Sequence, residues 1–434
     1  MYDIVVSNVR LADRTGLWDV GIAEGKVSFV RPTGEPAPAK EQIRADGCVL
    51  FPGIIDAHVH TRDPGYTYKE DFSSAAMAAA NGGVTTIMAM PNSNPPMTTA
   101  AAVYNARKRL EGQHLVHIYL VGGACSAVPD WVLPTVRAGA VAMDVYDDIF
   151  AYGTQSWIRM FLEAKKAGVP LCFYLMDLAL ERLRREEAAA VGTPEIEKII
   201  SATNGATEAM SIARIFPIAA YFDVPVVIRM VSTTDAIEMV RRMREMYPQA
   251  RVYVEVCVHY LFLTNDVLKA QGSLAHVHPP LRTQRDIDGL WSGISDGTVD
   301  YISSDHAPHS DYEKKDSLAA SASGMVGLET MLPLLLDASS KGKLTLADIQ
   351  RLCCENPAKI YGLSDRKGSI RIGGDADLTL VDMKEQWTVD RNDCYTRGAK
   401  TPFTGWRLQG RPYVTICSGK KVMEAGKVIG SNGE

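Results

Sequence analysis

The sequence predicts an α/β fold: a (β/α)8 TIM-like barrel with a small composite β-sandwich built from both termini. Three observations carry that expectation. Apolar segments of strand length recur at 53–60, 83–90, 115–122, 139–146, 169–175, 225–231, 251–258 and 299–305, with helical patterns between them. Their near-continuous apolar character suits parallel strands covered on both faces, and eight such units fit the roughly 250 residues or more of an eightfold barrel. Both ends of the chain differ from the middle, reading as short strands and turns.

The expected boundaries place the β domain at 1–50 and 366–434, and the barrel at 51–365. In the first segment Ile4–Val9, Val20–Ile22 and Lys26–Val30 read as strands, and the Pro/Ala run after Gly34 reads as loop. The last barrel helix is the most legible. Thr345 caps it, Asp348 follows three residues on, and Leu346, Ile349, Leu352 and Cys353 share one side until Asn356-Pro357 interrupts the pattern. The closing segment returns to strands near Leu378–Val381 and Tyr413–Cys417.

A net charge of −5, with no basic run, argues against a nucleic-acid partner. No apolar run approaches the roughly 20 residues of a membrane span, and the N-terminus lacks the basic-then-apolar pattern of a signal peptide. Eight cysteines without C-x-x-C spacing read as reduced thiols of a cytoplasmic protein.

Chemistry is expected at the C-terminal ends of the barrel strands. The first strand ends in His58-Val-His60, and residues two apart on a strand face the same side. The eighth delivers Asp305, followed by His306 and His309. Two imidazoles and a carboxylate suit a divalent metal that activates water. Asp305 is also the candidate catalytic group, since a carboxylate there can take a proton from that water and return it to a leaving nitrogen. The fourth, fifth and sixth strands end near Asp144, Tyr174 and Met230.

These motifs resemble the cyclic-amide branch of the amidohydrolase superfamily, nearest to dihydroorotases, with allantoinases and hydantoinases as relatives. The resemblance lies in residues 52–65, Gly82–Thr86, Met90-Pro-Asn92, Pro279-Pro-Leu-Arg282, Ser304–His309 and Gly327-Leu-Glu-Thr330. Asn356-Pro-Ala358, Gly374–Leu378 and Thr401–Trp406 extend it over nearly the whole chain. It implies hydrolysis of a ring C–N amide bond at a centre that usually holds two metals.

Against that pattern this chain departs on three strands. Asp144 stands where the resemblance implies a carboxylated lysine, Tyr174 where it implies one histidine, and Met230 where it implies another. No lysine lies between Lys108 and Lys165, and no histidine between His117 and His259. One metal is therefore expected, zinc or else manganese or iron, held by His58, His60 and Asp305. Asp144 is expected to add an oxygen ligand directly or through water. Met230, a soft thioether, reads as a gap filler.

The resemblance also implies that Arg62, Asn92 and His309 hold a substrate carboxylate, a task for which the guanidinium fork is suited. His278 replaces an asparagine that would contact the ring, and reads as a pocket hydrogen-bonder; Tyr174 either donates to substrate or fills vacated volume. His259 reads as a structural histidine, and Ser310–Ala322 as a lid.

The expected activity is metal-dependent hydrolysis of a cyclic amide or imide bearing a carboxylate, by a dimer or tetramer of the chain. The alternative is an inactive dihydroorotase-like fold serving as an assembly partner, for example of aspartate transcarbamoylase. A changed reaction in the same pocket, such as deamination or lactam opening, is a third reading.

Overall fold

The computed structural model describes residues 1–112, 115–124, 132–145, 154–174, 177–398 and 401–430. Eight parallel strands follow one another in chain order: Ile54–Val59, Val84–Ala89, His117–Ala124, Ala140–Val145, Leu171–Tyr174, Val226–Arg229, Val252–Cys257 and Tyr301–Ser303. The ring closes where Val59 pairs in parallel with His306 and the His60 amide donates to the His306 carbonyl at 2.8 Å. Seven of the strands lie within their expected segments, and the third, His117–Ala124, runs two residues past the expected 115–122; Tyr146 and Leu175, at the ends of two of those segments, lie outside the described residues.

Local chemistry sets the helix ends. Asp71 and Ser74 form a reciprocal capping box at the start of Phe72–Asn81, and Asn204 and Thr207 do the same for Gly205–Phe222. Each box satisfies amide donors that have no partner within the helix. The last helical run starts at the expected Thr345–Asp348 box, but Pro357 does not end it. A π turn, Arg351–Glu355, absorbs the change of register, and Pro357 then sits in the first turn of Asn356–Ile360, where its missing N–H is harmless.

Inside the barrel Ile55, Ala57, Met88, Val121, Ala142, Cys172 and Val227 pack together, closed off by Ile360 and Tyr361 of that last run. The barrel is therefore a packed core below its mouth. The termini build a nine-stranded, mostly antiparallel sheet in which Leu378–Thr388 pairs with Val49–Pro52. Its own core includes Val6, Val20, Ile22, Leu50, Leu380 and Ile416. Gly53 joins sheet to barrel, and a Cβ there would fall 2.0 Å from the Thr85 hydroxyl, so only glycine permits this crossing. Among the described residues no helix is long and apolar enough to cross a membrane.

Candidate active site

The first strand carries His58 on its last turn of pleat and releases His60 one residue beyond its end, so both rings reach the mouth with centroids 5.3 Å apart. Asp305 follows the eighth strand with φ +45°. Arg62 (φ +60°) and Met230 (φ +57°) share that left-handed backbone, which costs a residue bearing a Cβ on the order of 1 kcal/mol or more. Three such residues, after the first, sixth and eighth strands, mark the mouth as a place where side chains are aimed.

Asp305 Oδ1 lies 3.1 Å from His60 Nε2 and 3.4 Å from His58 Nε2. Ligand atoms of the three side chains all lie within 4.8 Å of one another. The opposite ring nitrogens are committed: His58 Nδ1 donates to Glu255 Oε1 at 2.6 Å, and His60 Nδ1 to Asn92 Oδ1 at 2.7 Å. His58 Nε2 is buried and makes no hydrogen bond. Donation from Nδ1 to a carboxylate or amide oxygen leaves the Nε2 lone pair facing inward, the arrangement of metal-binding histidines. The N, N, O set fits a divalent zinc, manganese or iron ion.

Charge in this group follows from burial and its partners. Burial disfavours a charged His60 ring and draws its pKa down to about 4, which keeps its lone pair available. Burial acts the same way on His58, but the Glu255 and Asp305 carboxylates outweigh it and raise its pKa. Burial works against the Asp305 charge, and His58 and His60 overcome it, holding the carboxylate below its ordinary range.

Asp144 is fully buried but does not join this group. Its Oδ1 accepts from Arg229 Nε at 2.7 Å, and Arg229 Nη1 reaches Glu255 Oε2 at 2.7 Å. Glu255 also accepts from Tyr301 and Ser303, at 2.6 and 2.7 Å. A buried guanidinium thus stands between two carboxylates on the side where the chain lacks the expected lysine and histidines. The Tyr174 ring meets His58 edge-on at 6.4 Å and faces the site, while Met230 packs in the core beside it. His278 is set apart. It is 38 % exposed, and its nearest charged partner is Glu181, 3.9 Å away.

The residues expected to hold a carboxylate lie near the mouth. Arg62 Nη2 lies 3.1 Å from His309 Nε2, its Nε donates to the Pro308 carbonyl, and Asn92 comes in through its bond to His60. The segment from Ser310 to Ala322 borders His309 and is braced by Lys69–Glu313 at 2.6 Å and by Lys314, which donates to the Ser273 and Ala322 carbonyls.

Three mouth residues escaped the sequence reading or were read as structural. Arg229 and Glu255 were hidden, although a charged residue inside an apolar strand such as Val226–Arg229 or Val252–Cys257 is itself a signal. His259 lies against Asp305: its ligand atom, the Cys257 Sγ and an Asp305 oxygen are mutually within 4.8 Å.

Comparison with known proteins agrees with the fold and the motifs. The model of the amidohydrolase family matches residues 49–422. A dihydroorotase of Acetivibrio thermocellus is 33% identical over 419 residues, covering 94% of this chain and 95% of that protein. One from Methanothermobacter thermautotrophicus is 33% identical over 433 residues, covering 100% and 97%. The solved structure of an L-hydantoinase from Arthrobacter aurescens superposes with a TM-score of 0.92 at 27% identity, covering 99% of this chain and 98% of that one. By sequence and by fold alike, the chain belongs to the amidohydrolase family, as a dihydroorotase-like hydrolase.

Proposed function

We propose that the chain opens a cyclic amide or imide whose ring carries a carboxylate, using one divalent ion held by His58, His60 and Asp305. The observation that carries this is the convergence of those three side chains within 4.8 Å, beside the Arg62–His309 pair. An ion bound there supplies Lewis-acid activation of water and of the ring carbonyl. Asp305 takes the proton that the attacking water gives up and returns it to the ring nitrogen as the C–N bond breaks. Arg62, Asn92 and His309 orient the substrate carboxylate, and Tyr174 faces the ring from the fifth strand. His278, partly exposed beside Glu181, serves as a hydrogen-bonding group of the outer pocket. Asp144 acts from behind, by fixing Arg229 and, through Glu255, the His58 ring. Assembly into a dimer or tetramer belongs to the same proposal, and light scattering of the purified protein reads it directly. The non-catalytic alternative finds no support, because the relatives that match along the whole chain are named as enzymes.

The decisive experiment pairs elemental analysis with turnover. We expect about one zinc, manganese or iron per chain, and faster ring opening of dihydroorotate than of dihydrouracil, the same ring without the carboxylate. Arg62→Ala should raise KM for dihydroorotate about 10- to 100-fold, since hydrogen bonds to a charged group contribute about 1.5–3 kcal/mol. A metal-loaded protein that leaves dihydroorotate intact would refute the proposal.

A further inference from the structure

We propose that His259 is a further ligand of the same ion, so that the protein set is His58, His60, His259 and Asp305. This rests on the metal reading above, and it gives the ion a fourth protein ligand from the seventh strand.

The placement begins with the chain. Val252–Cys257 ends at the mouth, and a single 3-10 turn, Val258–Leu261, swings His259 in beside Asp305. The ring is 1 % exposed, and neither nitrogen makes a hydrogen bond of ordinary geometry. A structural histidine that deep would normally be satisfied, because an unpaired buried polar atom costs about 1–3 kcal/mol. Its packing on Tyr260, with centroids 4.2 Å apart, satisfies neither nitrogen.

Asp305 is common to the His58–His60 group and to the His259 group. An ion on Asp305 therefore has both the first-strand imidazoles and His259 near it. Ligand atoms around tetrahedral zinc sit roughly 3.4 Å apart; His259 lies within 4.8 Å of Asp305 but groups with neither His58 nor His60, so the set closes only if the His259 ring and the first-strand rings move toward one another as the ion binds. Cys257 shares the corner but stays a thiol, since its Sγ lies 3.5 Å from Glu255 Oε1 and burial beside that carboxylate disfavours thiolate. Asp144 is the weaker choice, because Arg229 engages its Oδ1 and the carboxylate joins none of the ligand groups around Asp305.

The test uses metal binding alone. Chelator-stripped protein is titrated with Co²⁺, in its native form and as His259→Gln, Cys257→Ser and His58→Gln, and zinc-loaded native protein is examined by X-ray absorption. We expect one Co²⁺ per chain, affinity lower by at least about 100-fold in His259→Gln with an altered visible spectrum, no change in Cys257→Ser, and three imidazoles around zinc. Native affinity and spectrum in His259→Gln, or two imidazoles around zinc, would overturn the assignment of His259 while sparing the metal reading. Native protein that takes up neither ion would overturn both. Should His259→Gln fail to fold, the imidazole count in the native protein still decides.

Discussion

On the side of the first and eighth strands, the barrel mouth presents His58 Nε2 without a hydrogen bond and Asp305 Oδ1 within 3.4 Å of both first-strand imidazoles. On the side of the fourth, sixth and seventh strands, one guanidinium, Arg229, bridges the Asp144 and Glu255 carboxylates across 2.7 Å contacts. Both sides bury ionisable groups in the same packed barrel. One pairs its charges with each other, although Asp144 Oδ2 and Arg229 Nη2 make no hydrogen bond, and the other leaves ligand atoms pointing at a common centre. Burial of charge is therefore a poor guide to chemistry unless one asks where each lone pair goes.

Breaking the open side should have the largest effect. Asp305→Asn keeps the size of the side chain but removes its capacity to accept and return a proton, so kcat for ring opening should fall about a thousandfold. Circular dichroism should show the native fold retained. A variant within tenfold of the native rate would remove Asp305 from the reaction.

Breaking the closed side should act on stability instead. Arg229→Met leaves Asp144 and Glu255 buried without their cation, a loss of about 3–5 kcal/mol in denaturant unfolding. Neutralising a carboxylate as well, in Arg229→Met with Asp144→Asn, should recover part of it. If Arg229→Met unfolds like the native chain and loses only turnover, the guanidinium belongs with the reacting groups and the contrast between the sides collapses.

The smallest effect sharpens the comparison from outside the mouth. Asp377, where the terminal sheet meets the barrel, bonds Lys367 and His117. Burial opposes its charge, but His117 and Lys367 outweigh that and hold its pKa well below the carboxylate range. A depressed carboxylate stabilises the fold above its unfolded pKa, near 4, and that contribution fades as pH falls through the folded value. Asp377→Asn should cost about 1–3 kcal/mol at pH 7 and lose less on acidification than the native chain does. An identical acid limb in both proteins would show that Asp377 contributes nothing to it.

Much of the molecule was legible in the chain because it is written locally. Apolar runs of strand length announced eight barrel strands, and the Thr345–Asp348 spacing announced a capped helix. The His58-Val-His60 spacing put two imidazoles on one edge. The π turn before Pro357 was not legible, since the same residues suit a helix end or a helix that shifts register, and packing chooses.

By itself, then, the sequence determined the alternation of strands and helices, the His58–His60 pair and the absence of lysine and histidine from strands four to six. Those follow from residue types at fixed short spacings, where backbone geometry leaves little freedom. Only the tertiary structure decided that Arg229 engages Asp144, that Glu255 orients His58 from 197 positions away, and that His259 lies against Asp305. These pairings depend on strand order and register around a closed barrel, and on which charges burial forces to find one another.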